Sequence, residues 1–172
     1  MYILGHLGIG ALAVRPWWRT VSMKWLLLGT VLPDLIDKPL YYALCLWTGR
    51  QGAAIGLISG TRTIGHTALF LIFCGAISWF CKSRNGAALS AGVATHLLLD
   101  NLGDLFANGF SAYSHALLWP LLGWNFPVMP YPGLISQVGH LLDFKHLVFE
   151  ILGAIVLLVI LKRSFDLRRI GK

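Results

Sequence analysis

Residues 63–81 read TIGHTALFLIFCGAISWFC, a run of 19 residues without a charged side chain. A helix needs about 20 predominantly apolar residues to cross the hydrocarbon core of a bilayer. The rest of the chain has the same character, because 56% of its 172 residues are hydrophobic and only 12% are charged. Since soluble domains carry about twice that share of charge, the composition argues against a soluble enzyme and against a disordered chain.

Four further apolar stretches accompany this run and predict an all-α fold. The five stretches are residues 2–14, 23–47, 63–81, 86–107 and 147–161. The first is too short to span a bilayer alone, and Pro33 is expected to break the second, which is tolerated where the backbone is buried in protein. We therefore predict one integral membrane domain over residues 1–172. It would be a polytopic membrane helical bundle of about five membrane segments, the first of them short.

The basic residues predict the orientation of this bundle. Ten of the fourteen lie at the edges of the apolar stretches, namely Arg15, Arg19, Lys24, Lys82, Arg84, Lys162, Arg163, Arg168, Arg169 and Lys172. A five-pass arrangement places these clusters on one side, which would be the cytoplasm because cytoplasmic loops are rich in Lys and Arg. The net charge of +7 could suggest nucleic acid, but this placement favours the inner (plasma) membrane with a cytoplasmic C-terminus, and no nucleic-acid partner is expected. Residues 108–146 would form an outer interfacial loop region.

Ionisable residues inside the apolar stretches are the main functional signal. They are His6, Asp34, Asp37, His66, His96, Asp100, Asp104 and Glu150. A carboxylate at the bilayer centre costs roughly 3 kcal/mol on insertion scales, so it persists only if it is paired, hydrated or bound to metal. At about 1.5 Å per helical residue, most of these groups lie roughly 14 to 24 Å from the nearest basic cluster. That common depth predicts one polar site between the midplane and the outer half of the membrane.

The spacing of these residues suits metal ligation. His96 and Asp100 in HLLLD, and His146 and Glu150 in HLVFE, have the i,i+4 spacing of one helix face. Mixed histidine and carboxylate donors favour zinc, or manganese or iron. A single histidine such as His6 is, alternatively, a hydrogen-bonded core residue.

Several neighbouring residues have simpler interpretations. His66 can cap a helix start, and Asp37 beside Lys38 suggests a residue that supports a ligand or forms an interfacial ion pair. Asp104 suits a helix-end carboxylate, and His115 and His140 need no role beyond exposure in the outer loop. Arg62 lies at the predicted outer mouth, where it is either an interfacial cation or a clamp for an anionic substrate.

The order of motifs resembles the YdjM-like family of membrane-bound, metal-dependent hydrolases. The resemblance covers roughly residues 4–125 and rests on GHLGIGA, LPDLID, RTIGHTALF, THLLLD and LLWP, in that order. It implies metal ligands at His6, Asp34, His66, His96 and Asp100. The family often has a His-Arg pair before the histidine of the third motif, whereas this chain has Thr61-Arg62.

The ligand order is also similar to that of zinc-dependent phospholipases C and single-strand zinc nucleases, which are all-helical enzymes. Under this resemblance, His146 and Glu150 supply a late ligand pair and His115 an intervening histidine. It implies a cluster of two or three ions, most simply Zn2+, and a phosphoester substrate.

We therefore expect a membrane-embedded hydrolase in which divalent metal lowers the pKa of a bound water towards about 7 and polarises the scissile bond. Asp100 would bridge two ions, and Asp34 would serve as ligand and general base. Membrane lipids are the expected partners, and a lipid phosphoester is the leading substrate class. The alternatives are a metal-ion or proton transporter, which would use the same intramembrane carboxylates, and a non-catalytic structural membrane protein.

Overall fold

The computed structural model describes residues 3–14, 21–108, 114–128 and 144–170, and over these ranges the chain is helical without β-strand. The five α-helices are α1 (Ile3–Ala13), α2 (Met23–Thr48), α3 (Ala68–Phe80), α4 (Arg84–Asn108) and α5 (Phe144–Ile170). Short 3-10 helices occur at Gly52–Ile55, Ile64–His66 and Ser114–Ala116. The predicted all-α fold is therefore confirmed for the described part of the chain.

Helices α2 and α4 pack with their backbones in close contact. A Cβ atom at Gly29 of α2 would lie 2.1 Å from the carbonyl oxygen of Leu89, and one at Gly92 of α4 would lie 2.2 Å from that of Leu26. Only glycine permits such an approach, because it has no Cβ. The contact sets the first two turns of α2 directly against the first half of α4, one turn before the HLLLD motif.

Helices α1 and α5 also pack with their backbones in close contact at glycine residues. A Cβ atom at Gly8 would lie 2.0 Å from the carbonyl oxygen of Gly153. The two carboxylate oxygens of Glu150 accept hydrogen bonds from the backbone N–H groups of Leu4 and Gly5, each at 3.0 Å. Because the first N–H groups of a helix have no partner within it, Glu150 caps α1 and holds it on α5.

The predicted break at Pro33 does not occur. Helix α2 continues from Met23 to Thr48 through both Pro33 and Pro39. Proline removes one backbone donor and crowds the preceding turn, but packed neighbours can hold such a helix together. Here Pro33 is buried, and a Cβ atom at Gly65 would lie 3.0 Å from its carbonyl oxygen.

A tight turn joins α3 to α4. Lys82 is in the left-handed conformation with φ of 48°. The backbone N–H of Ser83 donates to the carbonyl of Ser78 at 2.9 Å, and that of Lys82 donates to Trp79 at 3.0 Å, which is the Schellman pattern of a helix end. The Ser83 hydroxyl then accepts from the N–H of Gly86 at 3.0 Å and caps α4.

In the described ranges, no helix combines the length and the apolarity that crossing a membrane requires. This finding corrects the expectation of about five membrane segments. Helices α1 and α3 have 11 and 13 residues, against the roughly 20 that a spanning helix needs. Helix α2 is longer, but it carries Asp34, Asp37 and Lys38 in its middle.

Part of the predicted outer loop region, residues 114–128, packs on the segment that precedes α3 and on the first residue of α3. The Ser59 hydroxyl donates to the carbonyl of Phe126 at 3.1 Å. The backbone N–H of Ala68 donates to the carbonyl of Leu117 at 2.8 Å. Residues 109–113 and 129–143, including His140, lie outside the described residues.

Candidate metal centre

Five buried side chains from four parts of the fold converge on one point. They are His6 of α1, Asp34 of α2, His66 before α3, and His96 and Asp100 of α4, and we call them the His–Asp cluster. The Nε2 atom of His66 lies 3.2 Å from Nε2 of His96 and 3.6 Å from oxygens of both Asp34 and Asp100. The Nε2 atom of His6 lies 3.1 Å from Oδ1 of Asp100.

Two overlapping sets within the cluster have the dimensions of a metal site. One consists of His6, His96 and Asp100, and the other of Asp34, His66 and His96. In each set, one ligand atom from every residue lies within 4.8 Å of the others. The sets share His96, so the cluster is one continuous site.

The backbone determines which nitrogen of His96 faces the cluster. Its Nδ1 atom lies 2.8 Å from the carbonyl oxygen of Thr30. A carbonyl oxygen can only accept a hydrogen bond, so Nδ1 carries the proton. In the neutral ring, Nε2 is then the unprotonated nitrogen, and its lone pair is directed at the cluster.

Asp37 orients His66 in the same way. Its Oδ2 atom lies 2.7 Å from Nδ1 of His66, and the carboxylate also accepts from the backbone N–H groups of Thr63 at 2.6 Å and Gly65 at 2.9 Å. Asp37 is fully buried, and each of these contacts requires it to accept. It therefore fixes the Nδ1–H tautomer of His66, an arrangement found behind many metal-bound histidines.

The unpaired nitrogens fit a cation. With both Nδ1 atoms protonated, the Nε2 lone pairs of His66 and His96 face each other across 3.2 Å. Two nitrogens bound to one zinc ion at about 2.0–2.1 Å in tetrahedral geometry lie roughly 3.3 Å apart. His6 is 1% exposed and stacks on His96 at 4.0 Å between ring centroids. Its Nε2 atom faces Oδ1 of Asp100 at 3.1 Å, and its Nδ1 atom has no hydrogen-bond partner among the described residues. Buried polar atoms usually have partners, so the donors present are suited to a metal ion.

The charge of the site also favours a cation. The Nζ atom of Lys38 lies 2.6 Å from Oδ2 of Asp34. The guanidinium of Arg62 lies 3.1 Å from Oδ2 of Asp100 and also contacts the carboxylate of Asp104. Together with Asp37, these side chains carry four negative and two positive charges, a net charge of −2 if the imidazoles are neutral. Since uncompensated buried charge is costly, a divalent cation would balance the site.

A comparison with protein families identifies the chain. The model of the YdjM inner membrane protein family matches residues 1–167. The chain belongs to this family. The match confirms the resemblance of the sequence motifs to the YdjM family itself and extends it to α5 of this YdjM-family protein. No curated protein and no solved structure is significantly similar to the chain.

Not all predicted ligands of the YdjM-family chain come together. The five residues implied by its motifs form the His–Asp cluster, whereas both oxygens of Glu150 bind the N-terminus of α1. His115 is exposed in the 3-10 helix Ser114–Ala116 and is not part of either ligand set. The side chain of His146 lies outside the described residues, although its backbone belongs to α5.

The cluster depends on further groups whose roles the sequence did not indicate. The carbonyl of Thr30 orients His96, but every residue has a carbonyl, so no sequence signal distinguishes this one. Arg62 forms an ion pair with Asp100 of the cluster. The prediction placed Arg62 farther out, at the outer mouth of the site. The ion pair between Asp34 and Lys38 follows the i,i+4 spacing, a signal that could have revealed it.

Proposed function

We propose that this YdjM-family protein is a metal-dependent hydrolase embedded in the inner membrane, acting on a phosphoester that is most simply part of a lipid. One observation carries the proposal: two buried imidazoles direct lone pairs at each other across 3.2 Å, beside carboxylates from two helices. A bound divalent ion, Zn2+ by its preference for these donors, would activate water and polarise the phosphoryl oxygen.

The two oxygens of Asp100 face different histidines of the cluster. Its Oδ2 atom lies 3.6 Å from Nε2 of His66 and 3.7 Å from Nε2 of His96, so this oxygen would join those histidines and Asp34 around one ion. Its Oδ1 atom lies beside His6 and would join that histidine around a second. Because the imidazole of His96 has one lone pair available, Asp100 is the residue suited to bridge two ions. A third ion would need donors beyond this cluster.

Two other side chains have roles in this proposal. Asp34 is buried, and Lys38 contacts its Oδ2 atom, so the carboxylate is held in one orientation from which it would accept a proton from the attacking water. The guanidinium of Arg62 is partly exposed beside Asp100. Its planar fork suits phosphate oxygens, and we propose that it orients the anionic part of the substrate.

The proposed topology follows the basic clusters and the apolar surface. The outward side chains of α3 are large and apolar, with Ile72 64%, Phe73 61% and Phe80 82% exposed. Large exposed apolar surfaces are typical of protein that contacts lipid or partners. We propose that the protein lies in the inner membrane with a cytoplasmic C-terminus and with the cluster towards the outer half, where a lipid headgroup would enter sideways.

The test combines metal analysis with hydrolysis. The full chain is purified in detergent without added metal, analysed for transition metals, and assayed against phospholipids and model phosphodiesters. We expect at least one equivalent of zinc and hydrolysis that His96→Gln abolishes. Ser90→Ala is the matched control on α4, since its hydroxyl donates to the carbonyl of Gly86 and not to the cluster.

Other outcomes would reject the proposal. Protein without stoichiometric transition metal, or a His96→Gln variant that hydrolyses at the wild-type rate, would contradict it. Flux of metal or protons into vesicles without hydrolysis would favour a transporter. A lower melting temperature on chelation, without any reaction to lose, would favour a structural protein.

A further inference from the structure

An open cleft of about 500 Å³ lies at the turn between α3 and α4. Its lining includes Ser78 and Trp79 of α3, Lys82 and Ser83 of the turn, and Arg84 of α4. None of these residues belongs to the His–Asp cluster. We propose that this cleft, which we call the α3–α4 cleft, binds the phosphate group of an anionic membrane lipid.

Two cations give the cleft its charge. Lys82 and Arg84 are both exposed and both line the cleft. Neither forms an ion pair with any carboxylate in the parts of the chain that the structure describes. Since Arg and Lys are the side chains that proteins use to bind phosphate, two such groups on one short turn give the cleft a preference for anions.

The N-terminus of α4 adds to this preference. The N–H of Gly86 is bonded to the Ser83 hydroxyl. Within the described ranges, the backbone N–H groups of Arg84 and Asn85 have no hydrogen-bond partner. Helix α4 has 25 residues, and the start of a long helix attracts anions through its free N–H groups and its dipole.

A buried hydroxyl points independently to a ligand. Ser78 lines the cleft, is only 7% exposed, and its hydroxyl has no hydrogen-bond partner among the described residues. The hydroxyl is therefore available to donate to a phosphate oxygen in the cleft. Gly86 of α4 packs closely on this residue, because a Cβ atom there would lie 3.0 Å from the Cβ of Ser78.

The surroundings of the cleft favour a lipid over free phosphate. Trp79 is 81% exposed at the rim, and tryptophan is enriched where membrane proteins meet the headgroup layer. The cleft is open and has the small apolar residues Gly75 and Ala87 in its lining. Acyl chains could therefore leave along the apolar surface of α3 while the phosphate remains between Lys82 and Arg84.

The test measures lipid binding by the full chain in a nonionic detergent. Dioctanoyl phosphatidylglycerol, dioctanoyl phosphatidylcholine and inorganic phosphate are titrated separately, and bound ligand is counted by native mass spectrometry. We expect phosphatidylglycerol to bind. The affinity should fall about tenfold in Lys82→Gln/Arg84→Gln, since each Lys or Arg near an anionic lipid adds to the binding free energy. Ser78→Ala keeps both charges and should weaken binding roughly threefold through the lost hydrogen bond.

The matched control is Lys24→Gln/Lys162→Gln, which removes two exposed charges that do not line the cleft. Equal weakening by both double variants would show general electrostatic attraction and overturn the proposal. Equal affinity for phosphatidylcholine, or free phosphate binding as tightly as phosphatidylglycerol, would also overturn it. If Ser78→Ala binds phosphatidylglycerol as tightly as the wild type, the Ser78 hydroxyl does not contact the ligand, and the assignment of this site is wrong.

Discussion

The Nε2 atoms of His66 and His96 lie 3.2 Å apart, although one ring belongs to the segment before α3 and the other to α4. Each ring donates from Nδ1 to an acceptor behind it, a carboxylate for His66 and a backbone carbonyl for His96. The two imidazoles are therefore held in position by the protein before any ion arrives. This arrangement leads to specific expectations about the groups behind the ligands as well as the ligands themselves.

Asp37→Asn is expected to weaken metal binding without removing a ligand. The side-chain amide can still accept from the backbone N–H of Thr63 or Gly65, but it no longer provides the carboxylate that orients His66. Loss of such a partner typically lowers metal affinity 10- to 100-fold. Competition with a chromophoric chelator measures the change, and an affinity equal to that of the wild type would show that Asp37 does not act through His66.

Removal of metal is expected to lower the melting temperature. An ion present at about a thousand times its dissociation constant stabilises the folded state by roughly 4 kcal/mol. For a chain of this length, that corresponds to a shift of about 10 °C. Melting is followed in detergent with chelator, after return of Zn2+, and after addition of Mg2+ as control. A melting temperature that chelation does not move would argue against a bound ion.

Glu150→Gln separates a capping role from the predicted ligand role. The variant keeps one acceptor oxygen for the N–H groups of Leu4 and Gly5 and loses the charge that favours a helix start. We expect a destabilisation of about 1 kcal/mol with the metal-to-protein ratio unchanged. Thermal melting and elemental analysis on the same preparation test this. A metal-to-protein ratio lower by one ion would show that Glu150 is a metal ligand after all.

Gly92→Ala is expected to separate α2 from α4 and to weaken the cluster. The added Cβ would lie 2.2 Å from the carbonyl oxygen of Leu26, and overpacking of this kind costs about 1 to 3 kcal/mol. Gly103→Ala on the same helix is the control, since no atom lies within 4 Å of its added Cβ. Metal content and melting temperature should fall in the first variant only, and equal behaviour of the two would contradict the close packing.

The members of the His–Asp cluster were predictable where their burial cost is high. His6, Asp34, His66, His96 and Asp100 stand out in the sequence because ionisable groups in apolar stretches need a partner, and the structure brings all five together. Glu150 satisfies the same rule through a different partner, the N-terminus of α1. Its i,i+4 spacing from His146 predicts that both residues share one helix face, but the spacing does not show which neighbouring helix that face packs against.

Other features depend on contacts that no local pattern encodes. The membrane segments were inferred from apolar composition, but the lengths of α1 and α3 depend on where each helix ends against its neighbours. Pro33 predicts a break when α2 is considered alone, and the helix continues because it is packed on both sides. The role of the Thr30 carbonyl depends on the depth at which α2 meets α4, which is set by Gly29 and Gly92.

The contact between α1 and Glu150 has a consequence for biosynthesis. Gly5 and Glu150 are separated by 145 positions, so a ribosome must translate most of the chain before Glu150 can cap α1. The donors of His66, His96, Asp34 and Asp100 come from earlier-completed neighbours and can assemble first. The cap on α1 would then form last, so nascent protein would pass through a stage in which the helix that carries His6 is not yet held by Glu150.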